Sequence, residues 1–339
     1  MSDKSGREVE TKSDKEADFS LRKAVSRRVI CAALALMVVT LVSMLARFHW
    51  AADLLTHFRV QFCVLFLCAA ITLLCLKSWR LFGGCILGLA FNAFPLLPYL
   101  IPASNADIEN RQSYCLYVQN VLTSNHGSDL VLQRVEHHQP DFVALMEVNS
   151  RWQTELSVLD EKYPHRKFIS DDRGNFGIAL YSKYEFSKLE VVSVEPLFLP
   201  SLVADVNLSS GGTAELCQLI VTHPIPPVGK RKTAARNKQL MKMASLVADD
   251  KPSLLAGDFN LTPWSPVFSD ILAESRMRDS AVGFGVSPTW HALGRNVMTG
   301  IVIDHVLVSQ EIDVLDREIA QDIGSDHLGI VLDFGIESK

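Results

Sequence analysis

The chain has 339 residues, 48% of them hydrophobic, with a mean hydropathy of +0.16 and a formal net charge of −5. The charge is unevenly divided, with 12 Lys+Arg against 7 Asp+Glu before residue 104 and 21 against 31 after it. An apolar, basic leader thus precedes an acidic part long enough for one large-cored domain, and that acidity argues against a chain living on non-specific duplex DNA contacts, which draw their affinity from neutralised phosphates.

Residues 1–28 are largely polar and charged and are expected to form a disordered tail. The segment 29–103 holds three uncharged runs, at about 29–46, 60–76 and 81–101. About 20 apolar residues cross a bilayer core as a helix, so each run is expected to span a membrane. The third contains Asn92, Pro95 and Pro98, which predicts a kink and a partner for the amide. A cleaved signal peptide is the weaker reading of the first run, because two more runs follow and the charged leader is long. Arg22, Lys23, Arg27 and Arg28 precede the first run, and Lys77 and Arg80 separate the second from the third. The positive-inside pattern then puts the N-terminus in the cytoplasm and residues 104–339 on the far side of a cell membrane, with the lipid bilayer as a partner. Five of the seven cysteines fall in the apolar runs. Cys115 and Cys217 belong to the domain, as two buried thiols or a disulfide, and the absence of CxxC removes support for a zinc or redox site.

From residue 104 onward, β-rich runs alternate with helical patterns. Strands are expected at 114–121, 141–148, 176–183, 189–195, 201–208, 215–224, 252–260, 300–309 and 328–336, and helices at 130–138 and 233–248. Several strands are apolar throughout, which implies sheets covered on both faces and a layered α/β architecture.

Polar residues recur at the C-terminal ends of these strands: Asn120, Glu147, His223, Asp258 with Asn260, Asp304 with His305, and Asp326 with His327. A buried strand ending in a carboxylate or imidazole must find it a partner, a metal or solvent. One such end is usually an edge or a cap; six in one domain predict a single rim-built site. Hard oxygen donors favour Mg2+ or Mn2+ over zinc, and histidines beside them suit attack of an activated water on a phosphate ester.

The ordered motifs VQNV, ALMEV, GIALYSK, VTHPIPP, AGDFN, PTW at 288–290, IDHVLVS and GSDH resemble the endonuclease/exonuclease/phosphatase superfamily over about residues 112–336. Within it they are most similar to YafD-like bacterial proteins, which carry membrane spans before the catalytic domain. The resemblance implies a DNase I-like four-layered α/β sandwich, here preceded by three transmembrane helices. It implies Glu147 as the main metal ligand, with Asn120 and Asp326 in the same metal region. Asp258 would orient or deprotonate the attacking water, and Asn260 would hold that water or a phosphate oxygen. His223 and His327 would contact the phosphate, with Asp304 paired to an imidazole. The implied activity is a membrane-anchored, Mg2+- or Mn2+-dependent phosphodiesterase acting on a lipid headgroup or small phosphodiester. The alternatives are an extracytoplasmic DNase I-like endonuclease, which the domain's acidity opposes, and a non-catalytic scaffold, which the intact residue set opposes. Leu122 stands where some nuclease members have a second acid, and His223 leans toward DNase I-like or sphingomyelinase-like members.

Secondary candidates have plainer readings. Lys230, Arg231, Lys232, Arg236 and Lys238 are either an anion-binding cluster or a solvated helix face. Trp264 and Trp290 are expected to pack rather than line the site, His137, His138, His165 and His291 to lie at the surface, and His305 to point away from the site by strand alternation.

Overall fold

The computed structural model describes residues 4–102, 111–208, 216–296 and 298–337, so the expected boundary at 103/104 lies outside the described residues. The N-terminal part is helical: α1 (Lys4–Ser43), α2 (Trp50–Thr56), α3 (Arg59–Cys75), α4 (Trp79–Ala93) and, after a 3-10 turn at Phe94–Leu96, α5 (Leu97–Leu100). Helix α1 extends through much of the stretch expected to be disordered, whose Glu, Lys, Ala and Arg residues are good helix formers and continue the apolar helix backward. Lys23–Ser43 and Trp79–Leu100 are long and apolar enough to cross a membrane. The α2–α3 pair, bent by 65° at its break, makes a third such segment if counted as one span. The helices pack through Ala33, Phe66, Ala70, Leu73 and Cys85, while Val38, Leu41, Ile71 and Leu87 face outward. The prolines shift the chain from α4 into the 3-10 turn, and Asn92 donates to Gly88 O at 2.8 Å and Thr40 Oγ1 at 3.3 Å.

The domain continues as β1 (Arg111–Asn120), α6 (Ser128–His138), β2 (Phe142–Met146), α7 (Ser150–Glu155), α8 (Leu159–Lys162), β3 (His165–Ile169), β4 (Ile178–Ser182), β5 (Phe186–Val194), β6 (Leu199–Asn207), β7 (Leu216–Thr222), α9 (Lys230–Ala244), β8 (Ser253–Asp258), α10 (Pro266–Ser275), β9 (Arg278–Asp279), β10 (Trp290–His291), β11 (Gly300–Ile301), β12 (Asp304–Val308), β13 (Ile312–Ile319) and β14 (Ile330–Glu337). Two six-stranded sheets form, in the orders β13-β14-β1-β2-β4-β3 and β5-β6-β7-β8-β12-β9. Their facing sides share one apolar core, in which Leu116, Val118, Phe142 and Leu332 meet Leu202, Ala204, Leu254 and Val306. A second cluster packs α6 and α7 on the outside of the first sheet through Val131, Val135 and Trp152, and a third packs α9 and α10 on the outside of the second through Leu240, Met243 and Phe268. The result is a four-layered α/β sandwich, and the double coverage explains why β2, β4 and β8 are buried along their whole length.

The topology brings the polar strand ends to one edge. Strands β1 and β2 run parallel, as do β7 and β8, so Asn120, Glu147, His223 and Asp258 leave the sheets on the same side. The run expected as one strand at 300–309 is two strands, because the Ile303 and Asp304 amides leave the ladder and donate to Thr289 Oγ1. Asp304 therefore begins β12 rather than ending a strand. It still reaches the site, because β12 is antiparallel to β8 and Asp304 lies opposite Asp258. Asp326 and His327 likewise precede β14, which is antiparallel to β1. Cys115 and Cys217 lie in different sheets and do not form a disulfide.

The domain sits on one end of the helical segment. Arg47 pairs with Asp270 at 3.0 Å, Gln61 donates to Gly300 O at 2.6 Å, and the Gly283 and Gly285 amides donate to Pro98 O and Tyr99 O. At the centre Asp53 accepts from Arg236 Nη2 at 2.8 Å and Ser265 Oγ at 2.6 Å, with both charged side chains buried. Arg236 is thus neither anion site nor solvated face, whereas Lys230, Arg231, Lys232 and Lys238 are exposed.

Removing one member of a buried ion pair strands the other charge, at about 3–5 kcal/mol. Asp53→Ala should therefore lower the thermal stability of the full chain in detergent, and the double change Asp53→Leu with Arg236→Met should recover most of the loss. A single variant as stable as the native chain would show that the pair does not hold the two parts together.

Candidate active site

A cavity of about 780 Å³ opens at the shared edge of the two sheets. Six of the eight expected site residues line it: Glu147, His223, Asp258, Asn260, Asp326 and His327. Asn120 and Asp304 do not reach its surface; both are buried behind it.

Asn120 ends β1 and connects the sheets. Its Nδ2 donates to Glu147 Oε1 at 3.0 Å and to Asp258 Oδ2 at 3.1 Å, while its Oδ1 accepts from the Leu122 amide. The residue expected among the metal ligands is therefore a donor to two carboxylates here. Glu147 follows β2 with φ of 62°, Leu122 has φ of 60° and Asn260 has φ of 50°. Three non-glycine residues in the left-handed region at one site mark a backbone constrained by its surroundings. Glu147 Oε2 also accepts from the Thr123 amide at 3.3 Å. Gly257 before Asp258 has φ of 141°, and a Cβ there would fall 2.0 Å from Thr222 O, so glycine is required where β8 passes β7.

Asp258 is the hub. Its Oδ2 lies 3.4 Å from His223 Nε2 and 3.6 Å from His327 Nε2, and its Oδ1 accepts from the Asn260 amide at 2.9 Å. On the far side of His327, Nδ1 meets Asp304 Oδ2 at 2.8 Å. Burial disfavours each of these charges, but the opposing partners prevail at three of them. Asp258 is held down at about 2 by His327 and His223. His327 is raised to about 10 by Asp304 and Asp258, and His223 is raised chiefly by Asp258. Glu147 goes the other way: burial pushes its carboxyl up, against the pull of His223 and Asn120.

Four carboxylates, Glu147, Asp258, Asp304 and Asp326, face two imidazoles. Carboxylates outnumber imidazoles there, and hard oxygen donors in excess of cationic partners suit a divalent cation. Donor atoms of Asp258, Asp304 and His327 also lie within 4.8 Å of one another, close enough to hold an ion. That trio, however, is already joined by the 2.8 Å His327–Asp304 contact. Glu147 also presents its carboxylate on the cavity wall, where it could hold an ion instead.

Sequence reasoning missed several residues here. Trp290, expected to pack, lines the cavity and donates from Nε1 to Asp326 Oδ2 at 2.9 Å. His291, expected at the surface, is buried, and its amide donates to Asp326 O. Phe176 stands against the His223 ring at 5.3 Å, and Thr289 fixes the backbone of Asp304. The PTW motif contained the signal for Thr289 and Trp290; Phe176 was expected as the first residue of a strand at 176–183 and instead precedes β4. Trp264 packs on Tyr99, and His305 points away, bonding Leu261 O at 2.7 Å.

A family model described as the Endonuclease/Exonuclease/phosphatase family matches residues 118–327, and the chain belongs to that family of phosphodiester and phosphate-ester hydrolases. It is 27% identical over 180 residues to Nocturnin of Drosophila melanogaster, covering 47% of this chain but 28% of that protein, so it spans less than a third of that relative's length. Among solved structures, endonuclease/exonuclease/phosphatase proteins of Beutenbergia cavernae (20% identity, 67% of this chain and 72% of that one) and Bacteroides vulgatus (19%, 67% and 100%) each superpose with a TM-score of 0.55. D. rerio TDP2, solved with a single-strand DNA product, superposes at 0.53 with 18% identity over 66% of this chain and 99% of that one. At these identities the likeness establishes the fold.

The His327 shift has a consequence for stability. Its folded value, about 10, exceeds the ordinary 6.5, so the charged ring stabilises fully below about pH 6.5 and progressively less as pH rises through about 10. In chelator-treated full chain the melting temperature should fall across that window, and His327→Gln should remove most of the slope. An unchanged slope in the variant would contradict the pairing.

Proposed function

We propose that the chain is a membrane-anchored, divalent-metal-dependent phosphodiesterase that uses an activated water. The carrying observation is the convergence of Glu147, His223, Asp258, Asn260 and His327 on one cavity. Glu147 would hold Mg2+ or Mn2+ with help from Asp326; bound there, the ion polarises a phosphoryl oxygen and offsets the negative charge that develops during attack. Asp258, kept anionic by two imidazoles, orients the attacking water and accepts its proton. Asn260 holds that water or a phosphoryl oxygen from the adjacent loop. His327, fixed by Asp304 through Nδ1, and His223 present Nε2–H groups to the phosphoryl oxygens. Asn120 and Asp304 act as positioning residues behind the wall.

The anchor reading rests on the ends of the helices. Residues 47–61 and 97–99 contact the domain, whereas Arg27, Arg28, Lys77 and Arg80 lie toward the opposite end of the bundle. Three spans, with α3 as the second and α2 as a short helix under the domain, account for that pattern, and the positive-inside rule then puts residues 104–339 outside the cytoplasm. This organisation is the one that the resemblance to YafD-like members implies. The burial of Arg236 against Asp53 removes one of the five cations from the basic cluster that an extracytoplasmic endonuclease would use to hold an anionic backbone.

With bis-(p-nitrophenyl) phosphate as substrate, chelation should abolish turnover and Mg2+ or Mn2+ should restore it. Glu147→Gln should lower kcat by about a hundredfold or more, on the scale of losing one preorganised electrostatic contact. A rate indifferent to chelator and to Glu147→Gln would refute the proposal.

A further inference from the structure

The cavity has two chemically distinct walls. One is the acid–imidazole rim. The other is apolar and includes Leu54 and Phe58, from the elbow between α2 and α3, together with Phe176, Val228 and Ile301. A volume of about 780 Å³ is that of a pocket for a whole small ligand and exceeds what a phosphoryl group fills. Phe58 and Val228 are 42% and 69% exposed. Large apolar side chains lining a partly open cavity are better covered by hydrocarbon than by water. The elbow leads directly into α3, whose Leu65 and Ile71 also face outward.

His57, in the same elbow, also lines the cavity and is 5% exposed. The elbow is held from behind, since Asp53, one turn earlier, is gripped by Arg236 and Ser265. Arg236 also donates to Asn260 O at 2.9 Å, so one guanidinium fixes both the elbow and a residue of the acid–imidazole rim.

We infer that the α2–α3 elbow is the substrate-specificity wall of the active site: it receives the hydrocarbon part of a lipid phosphodiester. The inference rests on the phosphodiesterase reading and adds a substrate class to it. The helical segment is then part of the active site as well as its anchor.

The test uses the full chain in lipid nanodiscs with Mg2+, titrated calorimetrically with methyl-, butyl- and hexylphosphonate. Full burial of a methylene strengthens binding about fourfold and half-burial about twofold, so hexylphosphonate should bind roughly thirtyfold or more tightly than methylphosphonate. Phe58→Ser should cut that ratio about tenfold. Val228→Ser, at an exposed position that does not threaten folding, should lower it in the same direction. A ratio near one in the native chain, or one unchanged in both variants, overturns the inference. A chain-length-dependent affinity without turnover of bis-(p-nitrophenyl) phosphate would instead retain the wall and reject the phosphodiesterase reading.

Discussion

The side-chain amide of Asn120 spans the gap between two sheets. It donates to Glu147, which follows the neighbouring strand of its own sheet, and to Asp258, which ends a strand of the facing sheet. Both acceptors are carboxylates removed from most of the surrounding water, and such groups persist only where donors or cations meet them. Asn120 supplies donors on one side, and the two imidazoles supply positive charge on the other. What remains is an excess of negative charge facing the cavity. The arrangement is therefore incomplete as a self-contained polar network.

The sandwich exists to hold that arrangement rigidly. Apolar strands covered on both faces fix the directions in which their ends leave the sheets, and parallel pairing of β1 with β2 and of β7 with β8 sends four functional residues to the same edge. Left-handed backbone at Leu122, Glu147 and Asn260 is tolerated because the packed sheets below constrain it. The helical segment is tied to the same edge through Arg236, which pairs with Asp53 and also bonds the backbone of Asn260. Helical segment and site share a residue, so a change in one is transmitted to the other.

Much of this was legible in the sequence, for identifiable reasons. Strand signals were strong where both faces are buried, as in FVALM and SLLAGD, and weak at the sheet margins, where β3, β9 and β13 were not foreseen. Glu147, His223, Asp258 and Asn260 were legible because a polar residue after an apolar strand is a local signal that does not depend on the partner. The direction of approach was not legible: Asp304 and Asp326 were read as strand ends, but Asp304 opens β12 and Asp326 precedes β14, since antiparallel pairing is invisible in a single segment. The functions of Arg236, Leu54, His57 and Phe58 were hidden for a different reason. Their partners lie more than a hundred residues away in sequence, across what looked like a boundary between an anchor and a domain.

The central claim is that the acid-rich rim around Glu147 is a cation seat. Anomalous scattering from crystals of the full chain grown with Mn2+ tests it directly. The account predicts a manganese peak on the Glu147 carboxylate, on the cavity side, with the His327–Asp304 contact retained. A peak lodged among Asp258, Asp304 and His327 with that contact broken, or no peak in the cavity at all, would contradict it.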